Sequence, residues 1–473
     1  MKFYPVKVLL FVWISAFYTS CTLLDTTPVV VSTNANFVSL TFAASQTADA
    51  NVSKAFFTVA EYDAQTKDSI IVNLDSLPYR TSIEKVIPTF RFNSTAGTYV
   101  HRVDSLGAFR DSIGLTGKDT LDFRRVVKVT NIASDKLTRV SYRIKVNVHQ
   151  VEPELYQWNK VVSQLTSDMG LIHKAVMLHD SVFLFNATNG SIALYKSKDA
   201  IQWDSKIMVS NLPADAPLRN MVVFNNKIFL VYNDTLLYWT ADGVTWTKGE
   251  FSTEAYLFKN LLFGFRDKLW AITQTKTDSK YHFARSSTGA SWEILSQELP
   301  ANFPVREYAA LAFVSRVNYP KVLVAGGFNK EGALLSNVWS SEDGINWFDF
   351  STENKTFGVR SASSIVAYDN KLLVFGGFKA NNQFCDSLYM ESADEGLSWK
   401  VPDTLTNRIR KPIYTITATK ADTTYLTYEK RAAQSVLVDN NQNLILIGGV
   451  NNEPNPFADV WKGRLNKLVF IRQ

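Results

Sequence analysis

The chain has 473 residues, of which 46% are hydrophobic, 13% aromatic and 20% charged. This composition provides enough apolar surface for well-packed cores and excludes a disordered chain, and the length favours two domains. The formal net charge is +6, but the basic residues are dispersed without an arginine-rich run. Nucleic-acid binding is therefore not expected.

The first 20 residues have the features of an export signal. Lys2 and Lys7 precede an apolar stretch from Val8 to Phe17, which is too short to span a membrane. Small residues follow before Cys21, as they do at a processing site. We predict a signal peptide at residues 1–20.

The Ser20-Cys21 junction resembles the lipobox of bacterial lipoproteins, although Tyr18 occupies the position where that motif usually has Leu. The resemblance implies lipidation of Cys21, a lipid-anchored linker at residues 21–30, and an outer-membrane lipoprotein on the periplasmic or cell-surface side. The alternative is a plain cleaved signal peptide and a chance cysteine. Because Cys385 is the second of only two cysteines, no intramolecular disulfide is expected once Cys21 is acylated.

Residues 31–150 contain strand-like runs but do not have the tryptophan repeat that is found later in the chain. The segment from Val140 to Val148 alternates apolar and polar residues, which is typical of a half-buried strand. About 120 residues of such runs fit an immunoglobulin-like β-sandwich. Residues 151–154 would then form a linker.

From residue 155 to residue 473 a tryptophan recurs at intervals of about 43 to 55 residues, at Trp158, Trp203, Trp246, Trp292, Trp347 and Trp399. A repeat of this length indicates one four-stranded blade repeated around a ring. Six units follow, so we predict an all-β chain with a six-bladed propeller. The ring is closed either by residues 467–473 or by Tyr156–Val162, and the Trp158 pattern favours the second segment.

In the last three units an apolar run ends in a glycine pair, as in VLVAGGF at Val322–Phe328. These units resemble kelch-type propellers, whose repeat has that pair at the end of its second strand and a Trp in its fourth. The turns before the tryptophans, such as SADEGLSW at Ser392–Trp399, resemble the Asp-box of sialidases. In that family the box is a structural turn, so no catalytic role is expected for its Asp.

The order of the two regions, with NLDSLPYRTS and YRIKVNV in the first and a kelch-like ring after it, resembles an uncharacterised lipoprotein family of Bacteroidetes. The resemblance spans nearly the whole chain. It implies the fold and the anchoring but no activity.

A cation opens the predicted innermost strand of every unit. Because the first strand of a blade lines the central channel, these cations are candidate ligand-binding residues at the channel mouth: Lys174, Arg219, Lys259, Arg306, Arg360 and Arg431. The alternative is structural, since kelch repeats commonly have Arg at this place, where it hydrogen-bonds the neighbouring blade.

Catalytic and metal-binding patterns are not found in the sequence. The five histidines have no metal-ligand spacing, no CxxC occurs, and we predict neither a catalytic residue nor a metal or cofactor. We expect a monomeric, non-enzymatic cell-envelope module that binds a glycan or an envelope protein. The alternative is a carbohydrate-active enzyme resembling sialidases or sialic acid mutarotases, in which the arginines hold a carboxylate.

Overall fold

A computed structural model describes residues 31–43, 49–103, 108–150, 153, 155–251, 254–351, 356–385, 388–402, 412–417, 420–425, 428–451 and 456–467. The chain divides into two compact units, with the boundary between Glu152 and Pro153. The predicted signal peptide, Cys21 and the linker at 21–30 lie outside the described residues.

The described residues of the first unit form eight strands and one short 3-10 helix, Ala50–Lys54. The strands are β1 (Phe37–Phe42), β2 (Phe57–Asp63), β3 (Asp68–Asn73), β4 (Pro88–Phe92), β5 (Gly97–Val103), β6 (Phe109–Gly114), β7 (Val127–Ile132) and β8 (Arg139–Lys145). β1 pairs with β4, and the other six form one sheet in the order β2-β3-β8-β7-β5-β6, in which β3 and β8 are parallel.

One apolar core joins the two sheets of the first unit. Leu40 and Phe42 of β1 pack with Val129 of β7 and Ile144 of β8, all of them buried. Asn131, the last residue but one of β7, is fully buried, and its side-chain amide donates to the carbonyls of Ala35 and Ser94. The all-β prediction is confirmed, whereas the immunoglobulin topology stays a prediction.

The second unit begins with β9 (Tyr156–Val162) and continues as a series of sheets that we call blades. Blade 1 has β10 (Ile172–Leu178), β11 (Ser181–Thr188), β12 (Ser191–Ser197) and β13 (Ile207–Met208). The 3-10 helix Leu218–Asn220 precedes blade 2, with β14 (Val222–Phe224), β15 (Lys227–Tyr232), β16 (Leu236–Thr240) and β17 (Thr247–Glu250). Blade 3 has β18 (Tyr256–Phe265), β19 (Lys268–Thr275), β20 (Tyr281–Ser286) and β21 (Glu293–Glu298).

The later blades have the same antiparallel order. Blade 4 has β22 (Ala309–Val314), β23 (Pro320–Ala325), β24 (Val338–Ser341) and β25 (Phe348–Asp349). Blade 5 has β26 (Ser364–Tyr368), β27 (Lys371–Phe375) and β28 (Tyr389–Ser392), with the 3-10 helix Ala380–Asn382 between the last two. The hairpin of β29 (Pro412–Thr417) and β30 (Lys420–Tyr425) follows. Blade 6 has β31 (Ser435–Val438), β32 (Leu444–Ile447) and β33 (Val460–Leu465).

β9 is the fourth strand of blade 6. It pairs antiparallel with β33, with Trp158 opposite Gly463, so a strand from the start of the unit completes the last sheet. Gly463 is required here because a Cβ at this position would collide with the Trp158 indole. Of the two closing segments considered from the sequence, the structure shows Tyr156–Val162 in this place; residues 468–473 lie outside the described part.

The blades form a closed ring, which confirms the β-propeller. The first strand of each blade contacts the first strand of the next, from β10 through β14, β18, β22 and β26 to β31, and β31 contacts β10. The six blades just defined are those formed by the described residues. Their first strands surround a central channel, as expected for this architecture.

The Asp-box turns fasten neighbouring blades. In the turn before Trp347, Asp343 accepts the backbone N–H groups of Ile345 and Asn346 at 2.8 Å each, and the Trp347 indole donates to the Gly344 carbonyl at 3.0 Å. Gly344 has a φ of 78°, and a Cβ there would lie 2.6 Å from the Trp270 ring of blade 3. Glycine is therefore needed both for the backbone conformation and for the close approach.

Candidate functional site

A cavity of about 340 Å³ occupies the channel at the end where the first strands begin. Every blade contributes to its wall. Its polar wall residues are Lys174, Arg219, Asn220, Asn260, Glu307, Tyr308, Ser363, Ser364 and Gln434. Two cations and one carboxylate give this wall a net positive charge, which favours an anionic ligand.

Lys174 lies on β10, where successive side chains point to opposite faces of the sheet. Its half-buried side chain lines the cavity, and no acidic group among the described residues pairs with it. Burial, together with the nearby charge of Arg219, lowers the pKa of Lys174 from 10.5 to about 8. The amine is thus an unpaired cation that loses its proton more easily than a surface lysine.

Arg219 follows Leu218, whose burial fixes the 3-10 helix against the cores of blades 1 and 2. One guanidinium nitrogen, Nη2, donates to the Leu171 carbonyl at 2.8 Å, and the side chain stays accessible from the cavity. Protein atoms around the channel desolvate the group, which lowers the pKa of Arg219, while the charge of Glu307 opposes this effect. Four of its five N–H donors are therefore available to a ligand.

Glu307 and Tyr308 provide the opposite side of the cavity. Glu307 has a φ of 54° and forms a loose ion pair with Arg306 at 3.7 Å. Tyr308 donates its hydroxyl to the Leu261 carbonyl at 2.9 Å, and burial raises its pKa far above the ordinary value. Tyr308 is thus a fixed wall residue, whereas Glu307 is the carboxylate that a ligand would meet.

Two neutral polar groups in the wall have unsatisfied hydrogen-bonding capacity. The Oγ of Ser363 and the Nε2 of Gln434 are buried and have no hydrogen-bond partner among the described residues. Gln434 is only 2% exposed. Because a buried polar group without a partner costs about 1–3 kcal/mol, these two atoms mark places where a polar ligand would be stabilised.

Four of the six predicted cations do not line the cavity. Lys259 donates to Asp234 of blade 2 at 2.6 Å, and its neighbour Asn260 lines the cavity instead. The register of β18 shifts between Phe258 and Asn260, and this irregularity decides which residue meets the channel. The amide of Asn260 donates to the Val305 carbonyl at 2.6 Å.

Arg306 comes one residue later in its blade than Arg360 and Arg431 do in theirs. It forms an isolated bridge with Phe328, and the equivalent bridges in blades 5 and 6 are made by Ser361 and Ala432. The residue equivalent to Arg360 and Arg431 is therefore Val305. Arg306 lies outside the cavity wall, exposed, with its guanidinium 4.2 Å from the centre of the Phe328 ring.

Arg360 and Arg431 do occupy equivalent positions, but both are buried within the protein. Arg360 is 6% exposed and donates to the Phe357 carbonyl at 2.7 Å. Arg431 is 3% exposed and forms a bidentate pair with Asp459 at 2.5 and 3.3 Å. The structural alternative therefore describes these two arginines better than the ligand-binding one.

His173 has a structural role that could not be predicted from the sequence. Its Nδ1–H donates to the Gly170 carbonyl at 2.8 Å, and its Nε2 accepts the Gly449 N–H of blade 6 at 2.7 Å. In the preceding blades the equivalent glycines, Gly327 and Gly377, donate to the carbonyls of Arg360 and Arg431. His173 thus replaces a backbone acceptor at the point where the ring closes.

No cluster of three His, Cys, Asp or Glu side chains among the described residues is arranged to hold a metal ion. Nor does this part of the chain contain a helix with the length and apolar character needed to cross a membrane.

Comparison with known proteins identifies the family. No curated protein matches the chain. The solved structure of YjhT shares 12% identity with a TM-score of 0.43, over 63% of this chain and 96% of that chain. A family model described as the DUF6242 N-terminal domain, of unknown function, matches residues 30–146, and the model of the DUF6242 beta propeller domain matches residues 152–473. These matches agree with the predicted resemblance to an uncharacterised family that has a propeller. That the family consists of lipoproteins of Bacteroidetes stays a prediction. Since the propeller model alone spans more than half of the sequence, this chain belongs to the DUF6242 family.

Proposed function

We propose that this protein is a non-enzymatic binding module of the cell envelope, whose propeller holds an anionic glycan or an acidic group of a protein partner in the channel cavity. The observation that carries the proposal is the pair of cations, Lys174 and Arg219, that line one cavity whose wall has a single described carboxylate, Glu307, with which neither cation forms an ion pair. The unsatisfied Ser363 and Gln434 beside them suit the hydroxyl and amide groups of a sugar.

The wall is chemically uneven, which favours one orientation of a ligand. Both cations come from blades 1 and 2, whereas Ser363 and Gln434 come from blades 5 and 6. Apolar side chains, among them Met221, Val222 and Leu262, line the cavity between them. An acidic sugar would place its carboxylate towards Arg219 and its hydroxyl groups towards the neutral polar side.

Binding of an acidic sugar is expected to depend on Arg219. Glucuronate and galacturonate serve as probes in calorimetric titrations of the full chain, with glucose as the uncharged comparison. A charge-assisted hydrogen bond contributes about 1.5–3 kcal/mol, so Arg219→Ala should weaken binding roughly 10- to 100-fold.

Arg306→Ala is the matched control, because Arg306 is an exposed arginine outside the cavity wall. It should leave the dissociation constant unchanged. Equal binding by the native chain and Arg219→Ala would contradict the proposed site, as would equal affinity for glucose.

The enzymatic alternative has weaker support from the geometry. Glycoside hydrolysis generally uses two carboxyl groups on either side of the scissile bond. Among the described cavity residues, Glu307 is the one carboxylate. A sialidase or sialic acid mutarotase therefore remains the second candidate, and release of product from an aryl sialoside by the full chain would favour the sialidase.

Anchoring at the outer membrane is proposed from the lipobox-like segment alone. If Cys21 carries the lipid, Cys21→Ala should move the protein from the membrane fraction to the soluble fraction of the native host. Mass spectrometry of the native protein should then find an acylated N-terminal cysteine. Unchanged fractionation of the variant, with no lipid on the native chain, would contradict the anchor.

A further inference from the structure

Lys174 differs from Lys259 and Lys321, two other shielded lysines of the propeller, in having no ion-paired carboxylate beside it. Lys259 donates to Asp234 at 2.6 Å, and Lys321 donates to Glu395 at 2.8 Å. Among the described residues, Lys174 has no such acceptor and shares its cavity with the guanidinium of Arg219. An ion-paired amine keeps its proton, whereas a desolvated amine beside a second cation is partly neutral near physiological pH.

A neutral amine inside a cavity is a nucleophile towards carbonyl carbon. The cavity of about 340 Å³ has room for a small molecule, and Arg219 lies within it with donors still available. A guanidinium binds a carboxylate through two parallel hydrogen bonds, which would hold a neighbouring carbonyl carbon in a defined position. Nucleophile and anchoring group thus line one small space.

We propose that Lys174 forms a reversible imine with a small carbonyl compound that carries a carboxylate, such as a 2-oxo acid or an open-chain sugar acid, whose carboxylate is bound by Arg219. This inference rests on the proposed function, because it assigns a ligand chemistry to the same cavity. It adds a covalent step that simple binding of an anion does not require.

The step is balanced without an oxidant or a reductant. The Nζ lone pair of Lys174 attacks the carbonyl carbon, a C–N bond forms, and one proton passes from the nitrogen to the carbonyl oxygen, which becomes a hydroxyl group. That hydroxyl then takes up a second proton and leaves as water with the breaking of the C–O bond, while the C=N bond forms and the nitrogen gives up its remaining proton. Glu307 lines the same cavity and is the carboxyl group that can transfer these protons.

Reductive trapping tests the imine directly. The full chain is incubated with pyruvate and sodium cyanoborohydride, digested and analysed by mass spectrometry for the reduced adduct on each lysine. We expect labelling of Lys174 at least tenfold above that of Lys259 and Lys321, the two ion-paired lysines. Comparable labelling of all three would overturn the proposal.

Two variants separate the imine from anion binding. Lys174→Arg keeps the positive charge but removes the primary amine, so the adduct at position 174 should be lost. Arg219→Ala keeps the amine but removes the carboxylate anchor, so trapping on Lys174 should fall at least tenfold. Undiminished trapping in Arg219→Ala would overturn the role assigned to Arg219.

Lactate, which has the carboxylate but no carbonyl at the neighbouring carbon, distinguishes failure of this inference from failure of the proposed function. Arg219-dependent calorimetric binding of lactate or glucuronate, together with no adduct on Lys174 after trapping with pyruvate, would overturn the imine and leave the binding module standing. Selective trapping on Lys174 that requires Arg219 supports both.

Discussion

Replacing Arg431 by Ala is expected to lower the free energy of unfolding of the propeller by about 3–5 kcal/mol, because it leaves a buried carboxylate without its main partner. Asp459 is 4% exposed and accepts both guanidinium nitrogens, while its remaining contacts are the Trp461 indole at 2.8 Å and Lys160 at 3.2 Å. The guanidinium also stacks on Phe457 at 3.6 Å. The change therefore removes packing as well as charge.

Tryptophan fluorescence during urea denaturation measures this effect selectively. Trp13, within the predicted signal peptide, is the one tryptophan of eleven that precedes Trp158, so the signal of the mature chain comes from the second unit. Arg306→Ala is the control, and removal of this exposed side chain should change the unfolding free energy by no more than about 0.5 kcal/mol. A loss below about 1 kcal/mol in Arg431→Ala would contradict the buried pair.

The second large effect is a loss of stability in acid through His173. Burial lowers the pKa of this imidazole from 6.5 to about 4, because the charged ring would be poorly solvated. In addition, a proton on Nε2 would face the Gly449 N–H, which is itself a hydrogen-bond donor. As the pH falls, His173 therefore takes up a proton at a higher pH in the unfolded chain than in the folded chain. The contribution of His173 is fully present above about pH 6.5 and declines as the pH falls towards 4, by about 3 kcal/mol in total.

His173→Gln isolates this contribution, since an amide oxygen can accept the Gly449 N–H but does not titrate. Urea unfolding of both proteins between pH 4 and 7 should show a shallower decline for the variant. The exposed His179, replaced by Asn, provides the control and should keep the native slope. Parallel curves for the native chain and His173→Gln would contradict the assignment.

The propeller could be predicted from the sequence because its determinants recur. Asp199, Asp242 and Asp343 each stand four residues before a Trp, and each carboxylate accepts hydrogen bonds from the same two backbone N–H groups of its turn. The glycine pairs are also constrained, since Gly326 and Gly376 have φ values of 63° and 58°, and a Cβ there would collide with the carbonyl oxygens of Arg360 and Arg431 in the next blade.

The cavity was harder to predict because its wall depends on register. In the sequence, Arg306 and Lys259 follow the preceding tryptophan at about the same separation as most of the other cations. In the structure, a shift of one residue in strand register turns each side chain away from the channel. Arg360 and Arg431 stand at the same distance, four residues, before β26 and β31, but the spacing of residues in the sequence does not reveal that their side chains are buried. Ser363 and Gln434 are neutral residues without a recurring pattern, and only the three-dimensional arrangement shows that they line the channel.

The pairing of β9 with β33 has a consequence for the order in which the protein is made. β9 is among the first parts of the second unit to leave the ribosome, and its partner, Val460–Leu465, is among the last. Until that partner has been made, β9 therefore presents an open strand edge while the intervening blades assemble. Such an edge can pair with a second nascent chain, so a chaperone that covers β-strands would matter most for this segment.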